Sequence, residues 1–149
     1  MKKVGIISDT HNMLRPEVKK ILQDCDCIIH AGDVCRPEIL DEIRWIGDLY
    51  VVKGNNDWEL GNKLAYINRF SIEGLKFVLV HDKYDLGRDL QDADIVIHGH
   101  THIYSEKIED ERLWLNPGSC GRGRFGGDIT MAIMYIDGKK YTVEKMVIS

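Results

Sequence analysis

The sequence predicts one α/β domain over residues 1–149, built on two packed sheets. Apolar runs alternate with helix-patterned stretches as far as Gly54. Paired apolar runs around short polar turns fill the remainder. No linker, low-complexity tract or charge block divides the chain.

In chain order, 4–8 (Val-Gly-Ile-Ile-Ser) reads as a buried strand. Pro16 suits a first helical position, and Leu14, Val18, Ile21 and Leu22 then fall on one face. Residues 27–31 form a second short strand. Pro37 opens a second helix with Ile39, Leu40 and Ile43 along one side, and 49–53 is a third strand. Strand-helix-strand-helix-strand with short connections implies parallel pairing. Residues 67–72 and 75–81 flank Glu73-Gly74, a hairpin signal. A short helix is expected over 86–90 and a strand over 95–98. Two more hairpins follow, 104–108 with 112–115 and 131–136 with 141–148, the last turning at Asp137-Gly138.

Composition narrows the function. Hydrophobic residues make up 44% and charged residues 30%, a globular balance. Lys and Arg total 20 against 24 Asp and Glu, a net charge of -4. That argues against affinity for bulk nucleic acid. No apolar run approaches the ~18 residues of a membrane helix. The first apolar stretch meets Asp9 and His11 too soon for a signal peptide. A cytoplasmic protein with no membrane partner is expected. Cys25, Cys27, Cys35 and Cys120 fit no zinc spacing and are expected as free thiols.

Chemistry gathers where strands stop. Asp9-Thr10-His11, Gly32-Asp33, Gly54-Asn55-Asn56-Asp57, His81-Asp82 and Gly99-His100-Thr101-His102 each follow a predicted strand. In open α/β sheets ligands collect beyond the carboxyl ends of strands. Carboxylate, imidazole and amide oxygen together suit two divalent transition metals, with Mn²⁺ first and Ni²⁺, Fe²⁺, Co²⁺ or Zn²⁺ as alternatives. If these segments are extended, residues i and i+2 share a side, so Asp9 can act with His11, and His100 with His102.

The ordered set resembles the calcineurin-like metallophosphoesterases, specifically their small YfcE/MJ0936-type phosphodiesterases. The likeness runs from Asp9-Thr10-His11 to Asn116-Pro117-Gly118-Ser119. It implies a two-sheet sandwich flanked by helices in four layers, α/β/β/α, and a dinuclear metal centre. By the resemblance, Asp9, His11, Asp33 and His102 hold the first ion. Asp33 as bridge, Asn55, His81 and His100 hold the second. Asp33, Asn55 and Asn56 then serve catalysis, the hydrolysis of a small phosphodiester by metal-activated water. Vps29-like scaffolds of the same fold, which act by protein interaction, are the alternative function.

The chain departs from the wider family twice. Asn56 stands where a histidine is thought to protonate the leaving group, and the run after His81 is Asp82-Lys83 rather than Gly-His. The remaining readings are open. His30 and His98 read as supporting or packed strand-end residues. Asp57 either orients a neighbouring ligand or caps a helix at Trp58. Arg122 and Arg124, in the glycine-rich stretch 118–127, are candidate phosphate contacts, with solvated arginines on a plain connection as the alternative. The run 82–85 is a further candidate pocket lining. A homo-oligomer is left open, with Trp45, Trp58 or Trp114 as candidate contact residues or core.

Overall fold

A computed structural model of the chain describes residues 1–60, 64–87, 90, 92–121 and 127–148. Its elements run β1 (Lys2–Ile7), α1 (Pro16–Gln23), β2 (Cys27–His30), α2 (Pro37–Ile46), β3 (Asp48–Val51), β4 (Ile67–Ile72), β5 (Leu75–Val80), β6 (Ile95–Ile97), β7 (Ser105–Glu109), β8 (Arg112–Asn116), β9 (Thr130–Asp137) and β10 (Lys140–Val147). Both helices begin at proline and carry a glutamate in the first turn and a basic residue in the last. The missing proline N–H is no loss there, and the charges complement the helix dipole.

The strands form two five-stranded sheets, β10-β9-β1-β2-β3 and β4-β5-β6-β8-β7. In the first, β1, β2 and β3 run parallel, with Ile7 beside His30 and His30 beside Val51. Their carboxyl ends are therefore level, and the loops after them leave one edge together. The hairpin β9–β10 completes this sheet antiparallel to β1. In the second, β5, β6 and β8 run parallel, with Leu79, Ile97 and Leu115 side by side. His81, the segment 99–102 and the turn after Asn116 thus leave one edge as well.

Alternation along the strands sorts the core. Val4, Ile6, Ile29, Ala132 and Met134 face Phe77, Leu79, Ile95, Ile97 and Leu115 between the sheets. Their alternates Ile7, Ile28, Met131 and Ile133 pack with Val18, Leu22 and Ile43 of the helices. Each such side chain taken from water contributes about 1.5–3 kcal/mol. Both α-helices among the described residues lie on the outer face of the first sheet. Gly5 lets α1 settle, since a Cβ there would lie 2.6 Å from Leu22 Cδ2. Among the described residues, no helix is long and apolar enough to cross a membrane.

The sequence pattern placed all three hairpins. It did not foresee the parallel trio β5-β6-β8, because local patterning carries no record of distant pairing. The short helix expected over 86–90 is displaced. A 3₁₀ turn occupies Lys83–Asp85 instead, started by Asp82, whose side chain accepts from the Tyr84 N–H. Leu86, Gly87 and Leu90 lie outside any helix, and residues 88 and 89 lie outside the described residues.

Candidate metal centre

Five of the seven candidate ligands sit in the left-handed region: Asp9 (φ 55°), His11 (46°), Asp33 (60°), His100 (72°) and His102 (65°). Non-glycine residues adopt this region at a cost of about 1–3 kcal/mol each, and such strain clusters at functional sites. The i, i+2 argument from extended segments is thereby corrected. Asp9 and His11 converge through turns, and the turns are held by neighbouring backbone. Asp9 N–H donates to Gly32 O at 3.0 Å, and His11 N–H donates to Asp33 O at 3.0 Å.

Two clusters result, Asp9-His11-His102 and Asp9-Asp33-His81, each with its donor atoms within 4.8 Å of one another. In the first, Asp9 Oδ1 lies 3.5 Å from His11 Nε2 and 3.3 Å from His102 Nε2. The two Nε2 atoms stand 3.2 Å apart. In the second, His81 Nε2 lies 3.3 Å from Asp33 Oδ2 and 3.8 Å from Asp9 Oδ1. Asp33 Oδ2 is also 3.5 Å from His11 Nε2, so this oxygen lies between the clusters. His100 joins neither cluster, and Asn55 lies beside it. They pair with each other, Asn55 Oδ1 to His100 Nδ1 at 3.2 Å. The His100 loop still closes on the centre, its N–H donating to Asp9 Oδ2 at 3.2 Å.

Charge is concentrated here. Burial would raise Asp9, but the His102 and His11 imidazoles and the His81 charge hold its carboxyl far below the ordinary range. Burial also works against Asp33, which the His81 imidazole keeps low. Burial works on His81 the other way, yet Asp33 and Asp9 push its imidazole up to about 9. The Asp9 carboxylate raises the His11 imidazole beside it.

The donors fit a divalent cation. Asp9 Oδ1 and His81 Nε2 are buried with no hydrogen-bond partner among the described residues. His81 Nδ1 donates to Ala31 O at 2.7 Å, which leaves Nε2 as the nitrogen facing the carboxylates. An orphaned carboxylate oxygen beside orphaned imidazole nitrogen is costly unless a cation completes it. Mixed N and O donors favour transition metals.

Neighbouring residues lock the loops. Asp57 is wholly buried and accepts three backbone N–H groups, from Asp33 (2.8 Å), Gly54 (2.7 Å) and Cys35 (2.6 Å). Burial pushes its carboxyl up. Of its two expected roles, it takes the orienting one. Asn56 donates twice to Asp33, from its backbone to Oδ1 (2.8 Å) and from Nδ2 to Oδ2 (3.0 Å). His30 supports from below, accepting from Gly32 N–H at Nδ1 (3.0 Å) with Nε2 3.0 Å from Thr10 Oγ1. Burial pushes it down to about 4.

Asn116 donates to Gly99 O (3.1 Å) and Ser119 Oγ donates to Asp9 O (3.0 Å), so the 116–119 turn braces both histidine and aspartate loops. Gly54 and Gly99 are obligatory: a Cβ on the first would strike Asp33, on the second Ser8 Oγ and Asp9. Cys35 Sγ, 3.6 Å from His11 Nδ1, is a neighbour that sequence spacing did not reveal. All four cysteines are free.

His98 stays apart from the clusters, edge-on to Trp114, and burial pushes it down to about 4. Asp82 approaches His100, Oδ2 to Nε2 at 3.9 Å. Trp45 and Trp58 are exposed and Trp114 is half-buried. Arg122 and Arg124 lie outside the described residues.

Residues 1–139 match the sequence model of the calcineurin-like phosphoesterase superfamily domain. A probable metallophosphoesterase of Methanothermobacter thermautotrophicus is 35% identical, covering 95% of this chain and 90% of that protein. Phosphodiesterase MJ0936 of Methanocaldococcus jannaschii is 30% identical, covering 93% and 96%. The crystal structure of Chaetomium thermophilum Vps29 superposes with a TM-score of 0.80 at 18% identity, covering 98% of this chain and 96% of that one, which speaks for the fold alone. By the extent of these matches, the chain belongs to the calcineurin-like phosphoesterase superfamily.

Proposed function

We propose that the protein is a metal-dependent phosphodiesterase with a dinuclear centre, acting on a small phosphate ester. The observation that carries this reading is the pair of donor clusters joined through Asp9, with Asp33 Oδ2 between them. Asp9, His11, Asp33 and His102 would hold one ion, and Asp33, Asn55, His81 and His100 the other. Two divalent transition-metal ions, Mn²⁺ first among them, supply Lewis acidity toward a phosphate ester and lower the pKa of water.

The chain's own residues bind and orient. Asp33 faces both clusters, and Asn56 steadies both of its oxygens. His81 keeps Nε2 turned inward because Ala31 O takes the Nδ1 proton. With its amide engaged by Asp33, Asn56 serves as a positioning residue, not as a proton donor to a leaving group. General acid help is worth about 10²–10⁴-fold, and esters with acidic leaving groups need it least. An aryl phosphodiester is therefore the favoured substrate class. The name of the Methanocaldococcus relative, a phosphodiesterase, supports the diester part of this choice.

A protein-interaction scaffold on the same fold is the alternative that the test must separate. The test is kcat/KM of Mn²⁺-reconstituted protein for bis(4-nitrophenyl) phosphate, 4-nitrophenyl phosphate and glycerol phosphate. The diester should lead. Faster alkyl monoester turnover would overturn the specificity, and no turnover with metal bound would favour the scaffold.

A further inference from the structure

The outer face of the second sheet carries a cavity of about 240 Å³ that no part of the metal centre uses. Lys83, Tyr84, His98, Lys107, Glu109 and Trp114 line it. Strand register sets its floor. Lys107 lies opposite Trp114 across the β7–β8 ladder, and Val96 lies beside Trp114 on β6. These positions share the face turned away from the core, since Leu113 and Leu115 take the inner one.

His98, two residues beyond Val96, stands edge-on to Trp114 with ring centroids 6.4 Å apart and planes at 65°. It is 4% exposed, and its Nδ1 has no hydrogen-bond partner among the described residues. Buried polar groups are ordinarily satisfied, so this unpartnered imidazole among the lining residues is an exception. In the same lining, the Lys83 ammonium lies 5.5 Å from the Tyr84 ring centroid, and Tyr84 is 84% exposed. Neither Lys83 nor Lys107 has a carboxylate partner among the described residues.

We propose that this cavity binds a small aromatic carboxylate, at a site separate from the metal centre. Its volume falls below the ~300–1,000 Å³ of pockets for drug-sized ligands, so it takes one ring or two fused rings. Trp114 and Tyr84 offer ring surfaces for offset or edge packing. His98 contributes an imidazole to the lining. Among the lining residues, two lysines against Glu109 leave one net positive charge, which suits a monoanion better than a phosphate dianion.

The test is nuclear magnetic resonance on the full-length chain loaded with diamagnetic Zn²⁺, titrated with indole-3-carboxylate. The Trp114 indole and His98 ring signals should move and saturate. Indole, cyclohexanecarboxylate and phenyl phosphate should each bind at least several-fold more weakly. Lys107→Glu should weaken the carboxylate by roughly 5-fold or more. Trp114→Ala should abolish binding. Should that variant fail to fold, Tyr84→Ala, an exposed change, should still weaken binding. The proposal is overturned by absence of a saturable shift at Trp114 and His98, by equal affinity in Lys107→Glu, or by shifts confined to His11 and His102. No turnover enters this readout, so it stands or falls apart from the phosphodiesterase reading.

Discussion

Removing the Asp57 carboxylate should loosen two ligand loops at once. Its Oδ2 accepts from Asp33 and Gly54 N–H, and its Oδ1 from Cys35 N–H, all within 2.8 Å and with no exposed surface. Asp57→Ala leaves three interior donors unsatisfied, each worth about 1–3 kcal/mol. Part of this is offset because the carboxyl no longer needs to be buried. A net loss of about 3–5 kcal/mol follows, a large share of the ~5–15 kcal/mol that holds such a domain. For a chain of this length that lowers Tm by roughly 10 °C or more. Asp57→Asn should do less. An amide oxygen in the Oδ2 place keeps two bonds, while its NH₂ faces the Cys35 N–H. Urea and thermal denaturation of metal-free protein measure the stability, and Mn²⁺ competition titration measures the site. Affinity should fall in the order wild type, Asp57→Asn, Asp57→Ala. An Asp57→Ala protein with wild-type Tm and Mn²⁺ affinity would refute the reasoning.

Asp33→Asn should harm activity more than His102→Ala or His81→Ala, because Asp33 Oδ2 faces both clusters; parallel kcat/KM and metal analysis of the three variants checks this. Metal-free protein should lose stability as pH rises. His81 titrates near 9 when folded against 6.5 when unfolded, so its contribution is complete below about 6.5 and lost through 9, a change of roughly 3 kcal/mol. Urea curves at pH 6 and 9.5 should show the fall, and His81→Ala should flatten it. Metal uptake at pH 7 should release protons to a weakly buffered indicator, because the same imidazole must be neutral to coordinate. Gly99→Ala should cost about 1–3 kcal/mol and weaken metal binding, since its methyl strikes Ser8 Oγ and Asp9; calorimetry with Mn²⁺ reads both.

Much of this was legible in the sequence because strand ends announce themselves. Apolar runs stopping at Asp9, Asp33, Asn55, His81 and His100 gave the loops, and level register in each sheet brings those loops together. Hairpins were legible from their turns. The parallel order β5-β6-β8 was not, because residues 75–80 carry no mark of their pairing with 95–97. Nor were the left-handed angles at Asp9 and His11 legible, since these are imposed by hydrogen bonds to the distant backbone of Gly32 and Asp33. Asp57 could be suspected but not assigned: only its three partners, from two separate loops, distinguish a brace from a cap.

The account rests most on the two donor clusters holding metal that turns over a diester. The direct measurement is a Mn²⁺ titration of stripped protein, following bound metal by elemental analysis and hydrolysis of bis(4-nitrophenyl) phosphate in the same samples. Binding should approach two ions per chain, with activity rising as the second is filled and vanishing on chelation. Saturated protein holding only trace metal, or activity indifferent to chelation, would contradict it.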